Sequence, residues 1–247
     1  MPTLFVVIPV YNEPDTLVAA VTRARGAALP AGWTSQVVLI DDGSDVSTVE
    51  AVRGLGTRGD ALVGFHPKNR GKGAAIRTGF ARALELASAD DAILIQDADL
   101  EYEAADFPAL LTPVIAGDAD IVLGNRWSAT QPGLKRMAHR LANGFLTLAS
   151  NIMTGLKVHD MECCLKLFTI PAMRSILPQL DEERFGIEPQ IVAAAARTRL
   201  RVREVPVRYT PRSFDEGKKI RMKDGLRVFV VLWRERRRTA RAIHSRA

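Results

Sequence analysis

Three apolar runs in the first part of the chain end in the same way, and that repetition constrains the fold more than any other feature. "TLFVVIPV" (3–10) leads into Tyr-Asn-Glu, "QVVLIDDGS" (36–44) ends in paired aspartates, and "DAILIQDAD" (91–99) ends in Asp97-Ala98-Asp99. Unbroken runs of Val, Ile and Leu are what a strand buried on both faces requires. Segments of helical spacing separate or follow them at 15–28, 47–56, 72–87 and near 104–117, with further strand runs at 61–67 and 119–126. Such alternation implies an α/β chain, a mainly parallel sheet with helices on both faces. Ligands of such sheets gather outside the carboxyl ends of the strands. Asn12 and Glu13, Asp41 and Asp42, and Asp97 and Asp99 all fall at that edge. Carboxylates that close repel unless a cation lies among them.

The second half has a different rhythm. A long, broadly apolar helix is expected over 136–155, strands over 160–168 and 202–212, and a helix over 188–199 between them. Pro206 and Pro211 place the last strand at an edge or make it brief. No linker divides the chain, so the reading is one domain over 1–230 with a basic tail over 231–247.

Of 247 residues, 47% are hydrophobic and 25% charged, as in an ordinary globular domain. The net charge of +6 and sequence pI near 9.6 owe much to 234–246. No zinc finger, RNP aromatic pair or basic heptad accompanies that run, so no nucleic-acid partner is expected. No apolar run approaches the roughly 20 residues of a membrane span, and the N-terminus does not read as a secretory signal. Cys163 and Cys164, adjacent in sequence, read as two small buried residues in a reducing compartment. The expected location is therefore cytoplasmic. "DGLRVFVVLWRERRRTARAIHSR" (224–246) is expected to make peripheral contact with the inner face of the membrane, each basic residue near the surface adding on the order of 1 kcal/mol. A helix packed on the domain with a basic end is the alternative.

Asp97 and Asp99, one residue apart at the mouth of a strand, can both reach one divalent cation if the backbone turns there. Mg²⁺ or Mn²⁺ takes oxygen ligands and completes its shell with water and substrate phosphates. "KNRGKGAAIRTGF" (68–80) does not fit the Walker phosphate loop, and Lys72 within it is a candidate phosphate contact. Arg126, Arg136, Arg140, Arg212, Lys218 and Lys219 are candidate contacts for an acidic acceptor. His66, His139, His159 and His244 have no metal-ligand spacing, and no nucleophilic Ser or Cys signature is present.

"VVIPVYNE", "LIDDGSDVST", "NRGKGAAIRTGF", "QDADLEY" and "VLGNR", in this order, resemble the family 2 glycosyltransferases of GT-A fold, and within them the dolichyl- or polyprenyl-phosphate hexose synthases. The resemblance spans roughly residues 4–230. It implies that Pro9, Tyr11, Glu13 and Asp42 line the nucleotide-sugar pocket, Asp42 at the nucleoside end. Asp97, Asp99 and Glu101 would hold Mg²⁺ or Mn²⁺. Arg126 would lie near metal and donor, and together with Arg136 and Arg140 would face the lipid phosphate. "DMECCLKLF" (160–168) resembles an acceptor-side motif that places Asp160 at the active site, though Leu165 stands where a tyrosine is common. Arg212 and Lys218 match a branch in which a closing loop brings them to phosphate. The implied reaction is an inverting transfer of a hexose from GDP-mannose or UDP-glucose to a polyprenyl or dolichyl phosphate. Asp99, Arg126 and Asp160 would be its catalytic set. A phosphate acceptor needs no general base; an alcohol would call on Asp160 or Glu188. A soluble or protein hydroxyl acceptor, or a sugar-nucleotide-binding module without turnover, are the alternatives.

Overall fold

The structure, a computed structural model, describes residues 1–129, 134–212 and 222–244. Its strands are β1 (Thr3–Val10), β2 (Thr34–Asp41), β3 (Leu62–Phe65), β4 (Ala92–Ile95), β5 (Ile121–Asn125), β6 (Lys166–Thr169) and β7 (Val202–Pro206). They form one sheet in the order β3-β2-β1-β4-β6-β5-β7. Parallel pairing links β3, β2, β1 and β4, and also β5 with β7, while β6 runs antiparallel to both β4 and β5.

The apolar runs became central strands because both their faces are covered. Helices α1 (Leu17–Arg25) and α2 (Val46–Thr57) pack on each other over one face, as the rule of right-handed crossovers requires. The same rule puts α3 (Lys72–Leu86), returning past β2 and β1 to β4, on the other. Asp45 caps α2 by accepting from Thr48 N at 3.0 Å. Close approach of α3 depends on Gly79, where a Cβ would lie 2.3 Å from Val7 Cγ1. Every residue of β4 is buried, as are Leu4 to Ile8 of β1 and Val37 to Asp41 of β2.

Reversal of β6 positions the site. Lys166 pairs with Ile95 on one side and Leu123 on the other, so the segment before β6 arrives at the edge where β4 and β5 end. The strand expected over 160–168 forms only from Lys166. Backbone donors upstream go to side chains instead of a ladder: Asp160 N to Glu204 at 3.0 Å, Met161 N to Thr147 at 3.3 Å and Cys164 N to the Tyr102 hydroxyl at 3.1 Å. Cys163 and Cys164 are buried and form no disulfide. At the far edge β7 ends at Pro206; beyond it Val207 N still donates to Asn125 O at 3.1 Å, and a bridge joins Tyr102 and Tyr209.

The remaining helices are α4 (Phe107–Ile115), α5 (Arg126–Ala129), α6 (Leu134–Thr154), α7 (Ile170–Ile176), α8 (Ile187–Arg197) and α9 (Met222–His244). The boundary expected at residue 230 falls inside α9, whose Val228, Val231, Leu232 and Glu235 are buried. Part of the basic tail turns inward. Arg197 and Gln190 donate to Glu235 at 2.7 and 2.9 Å, Arg238 donates to it at 2.8 Å, and Arg227 donates to Glu182 at 2.6 Å. No helix among the described residues is long and apolar enough to cross a membrane.

Candidate active site

Beyond Ile95 the chain stays tied to β1 through Gln96 N and Val7 O at 3.0 Å, then turns. Leu100 adopts φ +62°, a left-handed conformation that costs a leucine energy and reverses the backbone after Asp99. The turn lets Asp99 Oδ1 accept the Glu101 N–H at 3.0 Å. It also leaves Asp97 and Glu101 near enough for their charges to act on Asp99. Burial first, then the charges of Asp97 and Glu101, push the Asp99 carboxyl up to about 7.

Asp97 faces Lys72, whose Nζ lies 2.8 Å from Oδ1 and 2.9 Å from Oδ2. Lys72 opens α3 directly after Gly71, which has φ +110° and stands where a Cβ would be 2.4 Å from Glu183 O. Burial alone would lower the Lys72 pKa, but Asp97 and Glu188 nearby hold it well above its ordinary value. Glu188, 3.4 Å from Lys72, is also ion-paired with the fully buried Lys166. An alternating line of charge thus runs from Asp97 through Lys72 and Glu188 to Lys166.

Asp42 is committed elsewhere than the sequence alone suggests. Its Oδ1 accepts from His66 Nδ1 at 2.6 Å and Arg70 N at 3.0 Å, and its Oδ2 from Gly71 N at 2.6 Å. The carboxylate can only accept, so Nδ1 carries a proton toward it, and Nε2 on the far side of the ring lies 3.0 Å from Thr78 Oγ1. Asp42 therefore pins the loop before α3 to the end of β2. Pro9 is half-buried at the end of β1 and Tyr11 is exposed just beyond it. Glu13 Oε2 accepts from Arg212 Nη1 at 2.9 Å. Arg212 also donates through Nε to Asp99 O at 2.7 Å and through Nη2 to Thr16 at 3.1 Å, strapping the ends of β1 and β4 together. Glu101 is engaged by the Tyr209 hydroxyl at 2.9 Å and by Arg212 N at 2.8 Å.

On the other side of β6, Arg126 opens α5 directly after β5. Asp160 Oδ2 accepts from Arg126 N at 3.0 Å and Nε at 2.7 Å, and Oδ1 accepts from Arg126 Nη2 at 2.7 Å and Asn143 Nδ2 at 3.1 Å. Such a bidentate fork fixes the guanidinium plane. That plane lies against Trp127 at 5.3 Å and Tyr209 at 5.1 Å from the ring centroids. Asp160 is wholly buried and all its acceptor sites face the protein, so it orients Arg126 and has no surface left for an acceptor. Arg140 is exposed on α6. The side chain of Arg136, and Lys218 with Lys219, lie outside the described residues.

Among the described residues no group of three or more His, Cys, Asp or Glu side chains is gathered to hold a metal ion. The donor set nevertheless fits a hard divalent cation. Asp97 and Asp99 are oxygen donors in mutual repulsion, which a cation would relieve, and Mg²⁺ or Mn²⁺ commonly takes only one or two protein carboxylates. Glu101, held by Tyr209 and Arg212, stands beside that pair as a neighbouring charge.

Tyr209, Trp127 and Asn143 were not singled out from sequence, and only proximity in the chain to Arg212 and Arg126 could have flagged the first two. Asn143 sits mid-helix, where an asparagine reads as solvated until its partner is seen.

The family model described as Glycosyl transferase family 2 matches residues 5–177. An uncharacterised protein of Methanocaldococcus jannaschii is 28% identical over 218 residues, 87% of this chain and 85% of that one. The undecaprenyl-phosphate 4-deoxy-4-formamido-L-arabinose transferase of Edwardsiella ictaluri is 30% identical over 215 residues, 86% of this chain; the chain spans 62% of that relative's length. Glucosyl-3-phosphoglycerate synthase of Mycobacterium tuberculosis, crystallised with Mn²⁺, uridine diphosphate and phosphoglyceric acid, superposes with a TM-score of 0.67 at 19% identity, over 95% of this chain and 78% of that one. At that identity the likeness is one of fold, and it is the GT-A arrangement that the motif resemblance implies.

Proposed function

Since the chain belongs to glycosyl transferase family 2, we propose that it transfers a hexose, with inversion, from GDP-mannose or UDP-glucose to a polyprenyl phosphate at a membrane surface. One observation carries this reading: a repelling carboxylate pair at the end of β4 shares the sheet edge with a cation, Arg126, whose orienting carboxylate is fully consumed. The first suits a metal-bound diphosphate, the second an anion. The undecaprenyl-phosphate relative supports a lipid-phosphate acceptor.

Asp97 and Asp99 would hold Mg²⁺ or Mn²⁺, which when bound supplies positive charge to the leaving diphosphate. Lys72, already at Asp97, would turn toward the same phosphates. Arg126, locked by Asp160 and stacked on Trp127 and Tyr209, presents fixed donors and needs no reorganisation as charge develops. Arg136, Arg140 and Lys218 remain candidate phosphate contacts, and Pro9, Tyr11, Glu13 and Arg212 candidate walls of the donor pocket. Asp42 would serve that pocket by shaping the loop at 68–71. Asp160 acts as a positioning residue. Its saturation, with Glu188 held between Lys166 and Lys72, speaks against a general base at either carboxylate and so supports a phosphate over a hydroxyl acceptor.

Release of GDP or UDP from each donor, measured with Mn²⁺ or with EDTA and with or without polyprenyl phosphate, tests the reading. Release that requires both metal and lipid phosphate is expected. Release that proceeds equally well in EDTA, or is stimulated by hydroxyl acceptors and not by the lipid phosphate, overturns it.

A further inference from the structure

Helix α6 carries polar residues on its inner side and large apolar ones outside. Asn143, Thr147 and Ser150 are at most 7% exposed, beside Leu146, Ala149 and Met153, which pack on the core. Asn143 donates to Asp160 at 3.1 Å, Thr147 accepts from Met161 N at 3.3 Å, and one turn on Asn151 donates to Val158 O at 2.8 Å. Its outer face is apolar: Leu141, Phe145, Leu148 and Ile152, spaced as one helical stripe, are 56–72% exposed. A water-facing helix has the opposite pattern, and four large apolar side chains in a row exceed the scattered exposure that needs no explanation.

The stripe does not end with α6. Phe145 meets Phe229 of α9 with ring centroids 5.8 Å apart, and Val230 and Trp233 of α9 are exposed beside it. The basic rim follows on the same helix. The Arg237 guanidinium lies 3.5 Å from the Trp233 ring centroid, and Arg236 and Arg237 are exposed. Unlike Arg227, Arg234 and Arg238, which pair with Asp181, Glu182 or Glu235, these two belong to the outer face. Arg140 and Lys157, exposed near either end of the α6 stripe, add charge to the rim.

We propose that this face of α6 and α9 docks on an anionic lipid bilayer, with Leu141, Phe145, Leu148, Ile152, Val230 and Trp233 buried at the headgroup–acyl boundary and the arginines among the headgroups. The inference deepens the lipid-phosphate reading by naming the surface that meets the lipid. Apolar stripe, interfacial tryptophan and flanking arginines are the composition of a helix lying in the interface plane. A second copy is a poorer occupant, because a symmetric pairing would bring the two arginine rims together. The hydrogen bond from Asn143 to Asp160 gives the face a consequence for the site. The helix that meets lipid on one side orients, on the other, the carboxylate that holds Arg126.

The test uses the full chain and vesicles of phosphatidylcholine alone or mixed equally with phosphatidylglycerol. Wild type is expected to co-sediment with the mixed vesicles. The double variant Phe145→Glu, Leu148→Glu, whose side chains are exposed and whose circular dichroism should match wild type, is expected to bind them at least about ten-fold more weakly. Arg236→Ala with Arg237→Ala should weaken binding to the mixed vesicles and leave the residual binding to neutral ones unchanged. Transfer to a short, water-soluble prenyl phosphate should persist in the double variant while transfer to vesicle-borne polyprenyl phosphate falls. Vesicle binding is read without turnover, so loss of binding in the variant stands even if neither acceptor is glycosylated. Undiminished vesicle binding by the double variant overturns the proposal. So does a wild-type dimer that the double variant dissociates while binding vesicles as well as wild type does.

Discussion

The two halves of the sheet place charge at the same edge by opposite means. From β3 to β4 the strands run parallel and three of them, β2, β1 and β4, lead into acids, so the proposed donor side gathers carboxylates, with Asp99 pushed up to about 7 by burial and then by Asp97 and Glu101. From β6 to β7 the reversed strand feeds a buried loop into the edge, and there charges are paired: Arg126 with Asp160, Lys166 with Glu188. On the first side Asp97, Glu13 and Asp42 have partners of their own and only Asp99 stays crowded by like charge for a ligand to relieve; on the second Asp160 and Glu188 each meet a cation. Substitutions should therefore separate function from stability along this divide.

The largest expected effect is on the neutralised side. Asp160→Ala leaves Arg126 largely buried without its fork, and breaking such a pair costs about 3–5 kcal/mol. Urea denaturation checks it, and a change below about 1 kcal/mol would show that Asp160 is not the structural counterion described. The donor side should behave in the reverse sense. Asp99→Asn removes a charge from a repelling set, so stability should hold or rise while metal-dependent transfer falls about 100-fold or more. If Asp99→Asn instead unfolds the protein with its specific activity intact, the comparison fails. Next in size is a change in the scaffold beneath both. Gly79→Ala drives a methyl against Val7 where α3 crosses β1 and should cost about 1–3 kcal/mol in the same assay, with the residual folded fraction keeping normal Mn²⁺ affinity.

Much of the donor half was legible because its logic is local. A buried parallel strand must read as an unbroken apolar run, and the acids after Val10, Ile40 and Ile95 mark where each run leaves the core. The acceptor half was less so. Nothing in "DMECCLKLF" says that a strand begins only at Lys166 or that it runs backwards, since the donors upstream are satisfied by Thr147 and Tyr102 from elsewhere in the chain. The saturation of Asp42 by His66 and Gly71 is likewise a three-dimensional fact. Helix α6 shows the limit most clearly. Period 3.6 reveals that Leu141, Phe145, Leu148 and Ile152 share a face but not which face meets the core, because that depends on whether Asn143 and Thr147 find partners inside, as they do at Asp160 and Met161.

The smallest effect is at Glu162, and it tests whether the paired half is as neutral as it looks. Glu162 Oε1 is buried without a hydrogen-bond partner. Burial first, and the charge of Glu188 second, push its carboxyl from 4.5 up to about 7. The sign follows from linkage: the folded state holds this proton more tightly than the unfolded chain, so the group's contribution to stability is complete below about pH 4.5 and is lost as pH rises through about 7. Glu162→Gln keeps the shape and removes the ionisation. Its denaturation midpoints, followed across that interval, should show a shallower decline than wild type's and greater stability at neutral pH. The decline should not vanish, because Asp99 on the donor side titrates with the same sign. A variant whose slope matches wild type would mean that the Glu162 carboxylate reaches solvent or a partner when charged, and the acceptor side would then hold a second polar route to the site.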